Sequence, residues 1–247
     1  EDLYRGERLV ATHSELTDKK QTVYIPKIKT SASTLDYTSE SKGIITINDV
    51  IHFEGVEPGK EYTAVGWLML NENTELVNKD NERYESLKSF KPTQSSGTVE
   101  VSFEIPIDTL SKGDLVIFEE LYFKDKLIAE HKDINDADQT VSFVEIIIKK
   151  VDFDTKATLK GVEFTLYDVN EKPIQSLTNN EHGTVRFLVP RGQYHIQETK
   201  ALDGYISNNK KYSFKILGNE DNHEVILELE NKLIPELPKT GIGVTTN

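Results

Sequence analysis

Three polar residues in the C-terminal part of the chain stand where apolar ones are due. Alternate residues of a β-strand face the same way, so a polar side chain in step with apolar neighbours points into the core. Val144, Ile146, Ile148 and Lys150 share one face, with Glu145 and Lys149 on the other. Tyr194, Ile196 and Glu198 lie opposite Gln193, His195 and Gln197, while Val225, Leu227, Leu229 and Asn231 lie opposite Glu224, Glu228 and Glu230. An amine, a carboxyl and a carboxamide therefore point inward from an early, a late-middle and a last strand. Burial lowers a lysine pKa and gives a neutral nucleophile; it raises a glutamate pKa and gives an acid able to polarise an amide carbonyl. If the three meet, the product is a Lys–Asn isopeptide with release of ammonia.

The same count in the first half groups Ile28, Thr30 and Ala32, with Lys27, Lys29 and Ser31 outside. Gln139, Val141 and Phe143 share a face, as do Leu115, Ile117, Glu119 and Leu121, and His131 falls in step with Leu127, Ala129 and Asp133. A hydroxyl, a carboxamide, a carboxyl and an imidazole are thus available for a second crosslink. Threonine is a poor nucleophile at its free pKa, so attack on Gln139 needs a general base, which His131 supplies in the manner of a hydrolase triad. Water must also be kept away, or the acyl group is hydrolysed. A turnover hydrolase built on Thr30, His131 and Asp136 is disfavoured: no Gly-x-Ser-x-Gly nucleophile turn occurs, and Gln139 offers a substrate in cis. The acidic run from Asp133 to Asp138 does not read as a calcium loop, because Ala137 breaks the alternation of oxygen ligands and no glycine follows. Neither metal nor cofactor is expected.

These residues need strands to position them, and strands are what the pattern supplies. Short β-rich runs are separated by turn clusters such as Glu57-Pro58-Gly59-Lys60, Ser95-Ser96-Gly97 and Asn179-Asn180-Glu181-His182-Gly183, with no helical periodicity of any length. This reads as an all-β chain of two tandem immunoglobulin-like or prealbumin-like β-sandwiches with an extended C-terminal tail. Glu1-Asp2-Leu3-Tyr4 recurs as Glu119-Glu120-Leu121-Tyr122, and the match runs without a gap through Leu9/Leu127, Ala11/Ala129, His13/His131, Asp18/Asp136 and Gln21-Thr22-Val23/Gln139-Thr140-Val141. One constant offset across so many side chains marks a tandem repeat. The expected organisation is a severed end of a preceding copy at 1–24, a first sandwich at 25–143, a second at 144–233 beginning with a new strand, and a linker with its signal at 234–247. The matching threonine for Gln21 would precede residue 1, so Gln21 is expected to stay uncrosslinked, and 1–24 to lack a core of its own.

In 247 residues, 36% hydrophobic side chains suffice for real cores, and there is no cysteine to staple them. The net charge of −13, without a basic patch or basic amphipathic helix, argues against nucleic acid or anionic lipid as partner. Leu237-Pro238-Lys239-Thr240-Gly241 matches the LPXTG pattern of sortase substrates at every fixed position. Prolines at 235 and 238 keep it extended, as a peptide threaded through another enzyme's groove must be. The resemblance implies cleavage between Thr240 and Gly241 and transfer of Thr240 to peptidoglycan. The apolar span and basic tail that normally follow are expected beyond Asn247.

Lys150-Val151-Asp152, Leu159 through Asp168, and Tyr194-His195-Ile196-Gln197-Glu198-Thr199-Lys200-Ala201 followed by Asp203-Gly204-Tyr205 resemble the collagen-adhesin B-type (SpaA-like) domain. The resemblance covers about 145 to 233; Leu202 stands where a proline is usual. It implies Lys150 as nucleophile, Asn231 as acceptor and Glu198 as catalyst. Pro26 through Ala32, Asp49-Val50, Pro58 through Thr63, Val116 through Glu119 and His131 through Thr140 resemble the Thr-Gln ester-bond domain (VaFE repeat) of clostridial and streptococcal surface proteins. That resemblance implies Thr30 bonded to Gln139, His131 as base, and Asp136 with Glu119 as a proton-sharing carboxyl pair; it leaves Asp49 without a role. The combined expectation is an extracellular, wall-anchored stalk segment of a Gram-positive surface adhesin. Its crosslinking is autocatalytic and single-turnover, its partners are sortase, peptidoglycan and a host ligand of more distal domains, and it has no membrane in the mature form. The alternatives are a pilus subunit, although the Tyr-Pro-Lys-Asn signature is replaced by Tyr24-Ile25-Pro26-Lys27, and a directly ligand-binding adhesin domain.

Overall fold

The computed structural model describes residues 2–12, 23–35, 37 and 43–235. His13, Asp18, Gln21 and the Leu237-to-Gly241 pentapeptide lie outside them. Among the described residues regular structure is β-strand with three short 3-10 turns, and no helix is long and apolar enough to cross a membrane.

The first sandwich packs a three-stranded sheet, β3 (Lys27–Leu35), β4 (Ile44–Glu54) and β8 (Ser96–Pro106), against strands β5 (Tyr62–Asn71), β7 (Glu85–Phe90), β9 (Gly113–Phe123) and β10 (Lys126–His131). In β4 the alternation is strict: Ile45, Ile47, Ile51 and Phe53 are buried, and so is Asp49 between them. They meet Val99, Val101, Phe103 and Ile105 of β8 and Leu115, Ile117 and Leu121 of β9 in one core. Fully burying each such side chain is worth roughly 1.5–3 kcal/mol.

The second sandwich pairs β12 (Glu163–Tyr167), β13 (Pro173–Thr178), β15 (Gly192–Lys200) and β16 (Lys211–Ile216) in one sheet. Opposite lie β14 (Thr184–Pro190), β11 (Thr140–Asp152) and β17 (Glu224–Asn231), with β17 parallel to β11. Strand β11 belongs to both sandwiches. Its first residues pair with β9 and the rest with β14 and β17, over 13 residues without a break. The expected fresh start at Val144 is therefore replaced by a continuing strand. The physical reason is the uninterrupted run Val141, Phe143, Val144, Ile146, Ile147, Ile148, which holds no glycine or proline and is covered on both faces.

At 2–12, β1 (Asp2–Arg5) and β2 (Arg8–Thr12) form a hairpin whose described side chains are all exposed. Its register reproduces that of β9 with β10. Tyr4 pairs with Leu9 and Leu3 with Ala11, as Tyr122 pairs with Leu127 and Leu121 with Ala129, with the extra residue at the same place. This bulge breaks the parity count through β10: Leu127, expected inside with Ala129, is 40% exposed.

The junction between the sandwiches is closed by Lys112 bonded to Glu224, and by the Ser142 hydroxyl donating to Asp114 at 2.6 Å. Gly218 caps it from the second sandwich at φ +84°, where an added Cβ would come within 2.8 Å of the Ser142 Cβ. Gly218→Ala should lower stability by about 1–3 kcal/mol, read as a shifted denaturant midpoint. An unchanged midpoint would show that the Gly218 loop does not bear on β11.

Candidate crosslinking sites

In the second sandwich the parallel ladder sets Lys150 opposite Leu229 and Asp152 opposite Asn231, so Lys150 and Asn231 lie diagonally across neighbouring strands. Glu198 comes from the facing sheet. The three are 1%, 2% and 3% exposed for Lys150, Asn231 and Glu198. Lys150 Nζ donates to Asn231 Oδ1 at 2.7 Å and lies 3.3 Å from Glu198 Oε2; Asn231 Nδ2 donates to Glu198 Oε1 at 2.7 Å. Desolvation pulls the Lys150 pKa below its ordinary value, and the nearby Glu198 charge opposes it only in part. An amine pulled below its ordinary pKa thus has a carboxamide carbonyl within hydrogen-bond reach and a carboxyl touching both. His195, on the opposite face of β15, is also buried, but it stacks on Tyr167 at 4.7 Å and stands apart from this group.

In the first sandwich the site forms where β10 ends and β11 begins. Both strands pair with β9 on the same edge, β11 as far as Val116 and β10 from Glu119. The Ile117 carbonyl falls in the gap, and the Gln139 side-chain amide fills it, donating at 2.7 Å. A 3-10 turn, Ala137–Gln139, capped by the Asp136 carboxylate on the Asp138 N–H at 2.8 Å, delivers Gln139 there. Gln139 Nε2 also donates to Glu119 Oε2 at 2.5 Å, and its carbonyl oxygen has no hydrogen-bond partner. Thr30 Oγ1 lies 3.2 Å from His131 Nδ1, and His131 Nε2 lies 3.1 Å from Asp136 Oδ2. With Asp136 accepting from Nε2–H, Nδ1 is the free base facing the hydroxyl. Hydroxyl, imidazole and carboxylate stand in series, with the carboxamide held alongside by Glu119.

One assignment needs correcting. The carboxyl partner of Glu119 is Asp49, not Asp136. Asp49 and Glu119 are both 0% exposed and close enough to shift each other's pKa, with neither Asp49 oxygen taken by another hydrogen-bond partner, whereas Asp136 is partly exposed beside the imidazole. Burial, then the charge of Asp49, pushes Glu119 up to about 10; burial pushes Asp49 up to about 6 against the opposing bond from Glu119. Values split in this way favour one proton held between the two carboxyls from about pH 6 to about pH 10. Asp49 was within reach of the parity test, since it keeps step with Ile45, Ile47, Ile51 and Phe53. The remaining acids of the Asp133-to-Asp138 run shape the turn, Asp133 accepting from the Asn135 N–H at 3.0 Å. Among the described residues no group of three or more such side chains could hold a metal ion.

Two β-sandwiches thus share a strand, and each buries a hydroxyl or an amine beside a carboxamide. A family model described as "T-Q ester bond containing domain" matches residues 1–25 and 26–143, and one described as "Prealbumin-like fold domain" (SpaA) matches 144–233. The chain belongs to the T-Q ester bond domain family and carries a SpaA prealbumin-like domain behind that match. It is 38% identical over 69 residues to the trypsin-resistant surface T6 protein of Streptococcus pyogenes serotype M6, a stretch covering 28% of this chain and 13% of that protein. Domains D2 and D3 of the major pilin SpaD from Corynebacterium diphtheriae share the fold at TM-score 0.52 and 14% identity, over 83% of this chain and 99% of that one. A Mobiluncus mulieris adhesin containing disulfide, isopeptide and ester crosslinks aligns at TM-score 0.40 and 18% identity, over 85% of this chain and 99% of that one.

The raised carboxyls set a pH dependence. Glu119 and Asp49 hold protons more tightly folded than unfolded, so stability is greatest below the ordinary carboxylate range and is lost as pH rises, through about 6 for Asp49 and about 10 for Glu119. In a His131→Ala chain, where no ester can mask the effect, denaturant unfolding should show stability declining from about pH 5 to about pH 9, by at most about 1.4 kcal/mol per pH unit for each proton. Adding Glu119→Gln should flatten that decline; a slope unchanged by it would rule out the shared proton.

Proposed function

We propose that the chain is a load-bearing stalk segment of a bacterial surface protein, each sandwich closed by a bond it makes itself. The observation that carries the reading is the contact of Lys150 Nζ with Asn231 at 2.7 Å inside a dry site closed by Glu198. In the second sandwich Lys150 Nζ attacks Asn231 Cγ. The Nζ–Cγ amide forms, the Cγ–Nδ2 bond breaks, and Nδ2 leaves as ammonia with a proton from the amine, Glu198 passing it across. In the first, His131 takes the Thr30 proton, Oγ1 attacks Gln139 Cδ, the Oγ1–Cδ ester forms, the Cδ–Nε2 bond breaks, and Nε2 leaves as ammonia with the proton that His131 gives back. The Glu119–Asp49 proton serves the developing charge on the carboxamide. Each site reacts once and has no further substrate, so the chain is not a turnover enzyme.

The relatives' names, a surface protein, a major pilin and an adhesin, support an extracellular surface setting. The LPXTG pentapeptide supports covalent anchoring to peptidoglycan by sortase through Thr240. The chain spans only a small part of the T6 protein, and a pilus-subunit role is the second reading, favoured by the fold shared with domains of the major pilin SpaD.

Pulled from its two ends, such a chain should not lengthen by unfolding. Residues 31–138 and 151–230 lie inside closed loops, and single-molecule extension should show no step from either. Glu198→Ala should release the second loop alone and His131→Ala the first alone, at roughly 3.3–3.6 Å per residue. Full unfolding steps from the unsubstituted chain would contradict the proposal.

A further inference from the structure

Glu198 must aim two oxygens at two different groups, and a terminal carboxyl torsion is soft and nearly two-fold on its own. Oε2 faces the Lys150 amine at 3.3 Å. Oε1 accepts from Asn231 Nδ2 at 2.7 Å and also from the backbone N–H of Asn208 at 3.2 Å. The last of these contacts comes from a part of the chain that the proposed reaction has not yet used.

Asn208 belongs to the stretch 201–210, which leaves β15, reaches across to the end of the opposite sheet and returns to pair as β16 beside β15. It is strapped to the residues just past Asn231. Tyr205 bridges to Leu233, the Ile206 N–H donates to the Lys232 carbonyl at 2.8 Å, and the Ile234 N–H donates to the Gly204 carbonyl at 2.8 Å. The Tyr205 hydroxyl approaches the carboxylate of Asp152, which sits opposite Asn231 in the β11–β17 ladder. Beyond the strap, Asn208 fixes itself: its Nδ2 donates to the Tyr212 hydroxyl at 3.0 Å, and its Oδ1 accepts from the Lys210 N–H at 3.1 Å. The backbone N–H aimed at Glu198 is thus held from both sides.

We propose that Asn208 is a positioning residue for isopeptide formation, its N–H holding Glu198 Oε1 so that Oε2 is left for the Lys150 amine. This rests on reading Lys150 and Asn231 as reaction partners. Two consequences follow from the bonding. When Nδ2 departs as ammonia, Oε1 loses the Asn231 donor and keeps the one from Asn208, so the carboxyl stays aimed through the step in which a proton crosses it. The strap's backbone contacts across to the opposite sheet run to Lys232, Leu233 and Ile234, so Glu198 gains its second donor once β17 is in place. The chemistry is thereby tied to a completed fold.

The test follows ammonia loss by intact mass during cell-free synthesis of the full chain, in a His131→Ala background so that the first sandwich contributes none. Asn208→Pro removes the N–H; Asn208→Asp keeps both the N–H and the acceptor for Lys210. Bond formation at the parental rate in Asn208→Asp and about 10–100-fold slower in Asn208→Pro is expected, by the usual cost of misplacing a reacting group. An equal rate in Asn208→Pro would overturn the proposal. Thermal unfolding of Asn208→Pro with Glu198→Ala, where no isopeptide forms, shows whether the sandwich still folds. If it does not, Tyr205→Phe decides, since loosening the strap should slow the bond, and an unchanged rate overturns the proposal. Absence of ammonia loss from the parent would instead overturn the isopeptide reading beneath it.

Discussion

Strand β11 is the constraint on which the rest depends. Its 13 residues complete the edge of β9 in the first sandwich and lie between β14 and β17 in the second. Gln139 stands at its entrance and Lys150 near its exit, so both proposed bonds attach to one extended segment. At roughly 3.3 Å per residue a β-strand has almost no slack. A bond from Thr30 to Gln139 and another from Lys150 to Asn231 would carry tension from the first strand of one sandwich to the last of the other through β11 alone. The ladders on either side would have only to keep it straight. The junction contacts at Ser142, Gly218 and Glu224 then matter because they hold a load-bearing strand in register, not because they hold two bodies together.

The second constraint is electrostatic. Each core buries ionisable groups that an ordinary sandwich would avoid, since removing one partner of such a group exposes the full cost of desolvation. The two sites manage this differently. Lys150 faces one carboxyl and is driven toward the neutral amine. Glu119 faces a second carboxyl and is driven toward the neutral acid, held up to about 10. The proposed reactions use what burial produces: a neutral nucleophile in one core and an undissociated acid in the other. They also remove a buried amine and a buried hydroxyl by converting them to amide and ester. A chain without cysteine would gain from its own side chains the crosslinks that disulfides give many exported proteins.

Much of this could be read from alternation. The parity of Lys150, Glu198, Asn231, Thr30 and Gln139 with apolar neighbours placed all five inside, and each is buried. Parity failed where the ladder slips, as at the bulge that turns Leu127 outward. The partner of Glu119 was not legible, because Asp49 and Asp136 are both acids near the right strands. Only the β3–β4 register, with Ala32 opposite Asp49, brings Asp49 beneath Thr30. Asn208 gave no signal at all, since what it contributes is a backbone N–H whose position depends on how a long loop docks on the residues past β17. The continuity of β11 was visible in its unbroken apolar run, but a change of sequence family at residue 143 reads more naturally as a boundary.

The most direct measurement is the intact mass of the purified chain before and after mild hydroxylamine, which opens esters and spares amides. The account predicts a mass short of the sequence sum by two ammonias, with hydroxylamine cutting the link between Thr30 and Gln139 and leaving that between Lys150 and Asn231. A mass equal to the sequence sum would contradict it, and would leave both buried constellations as packing alone.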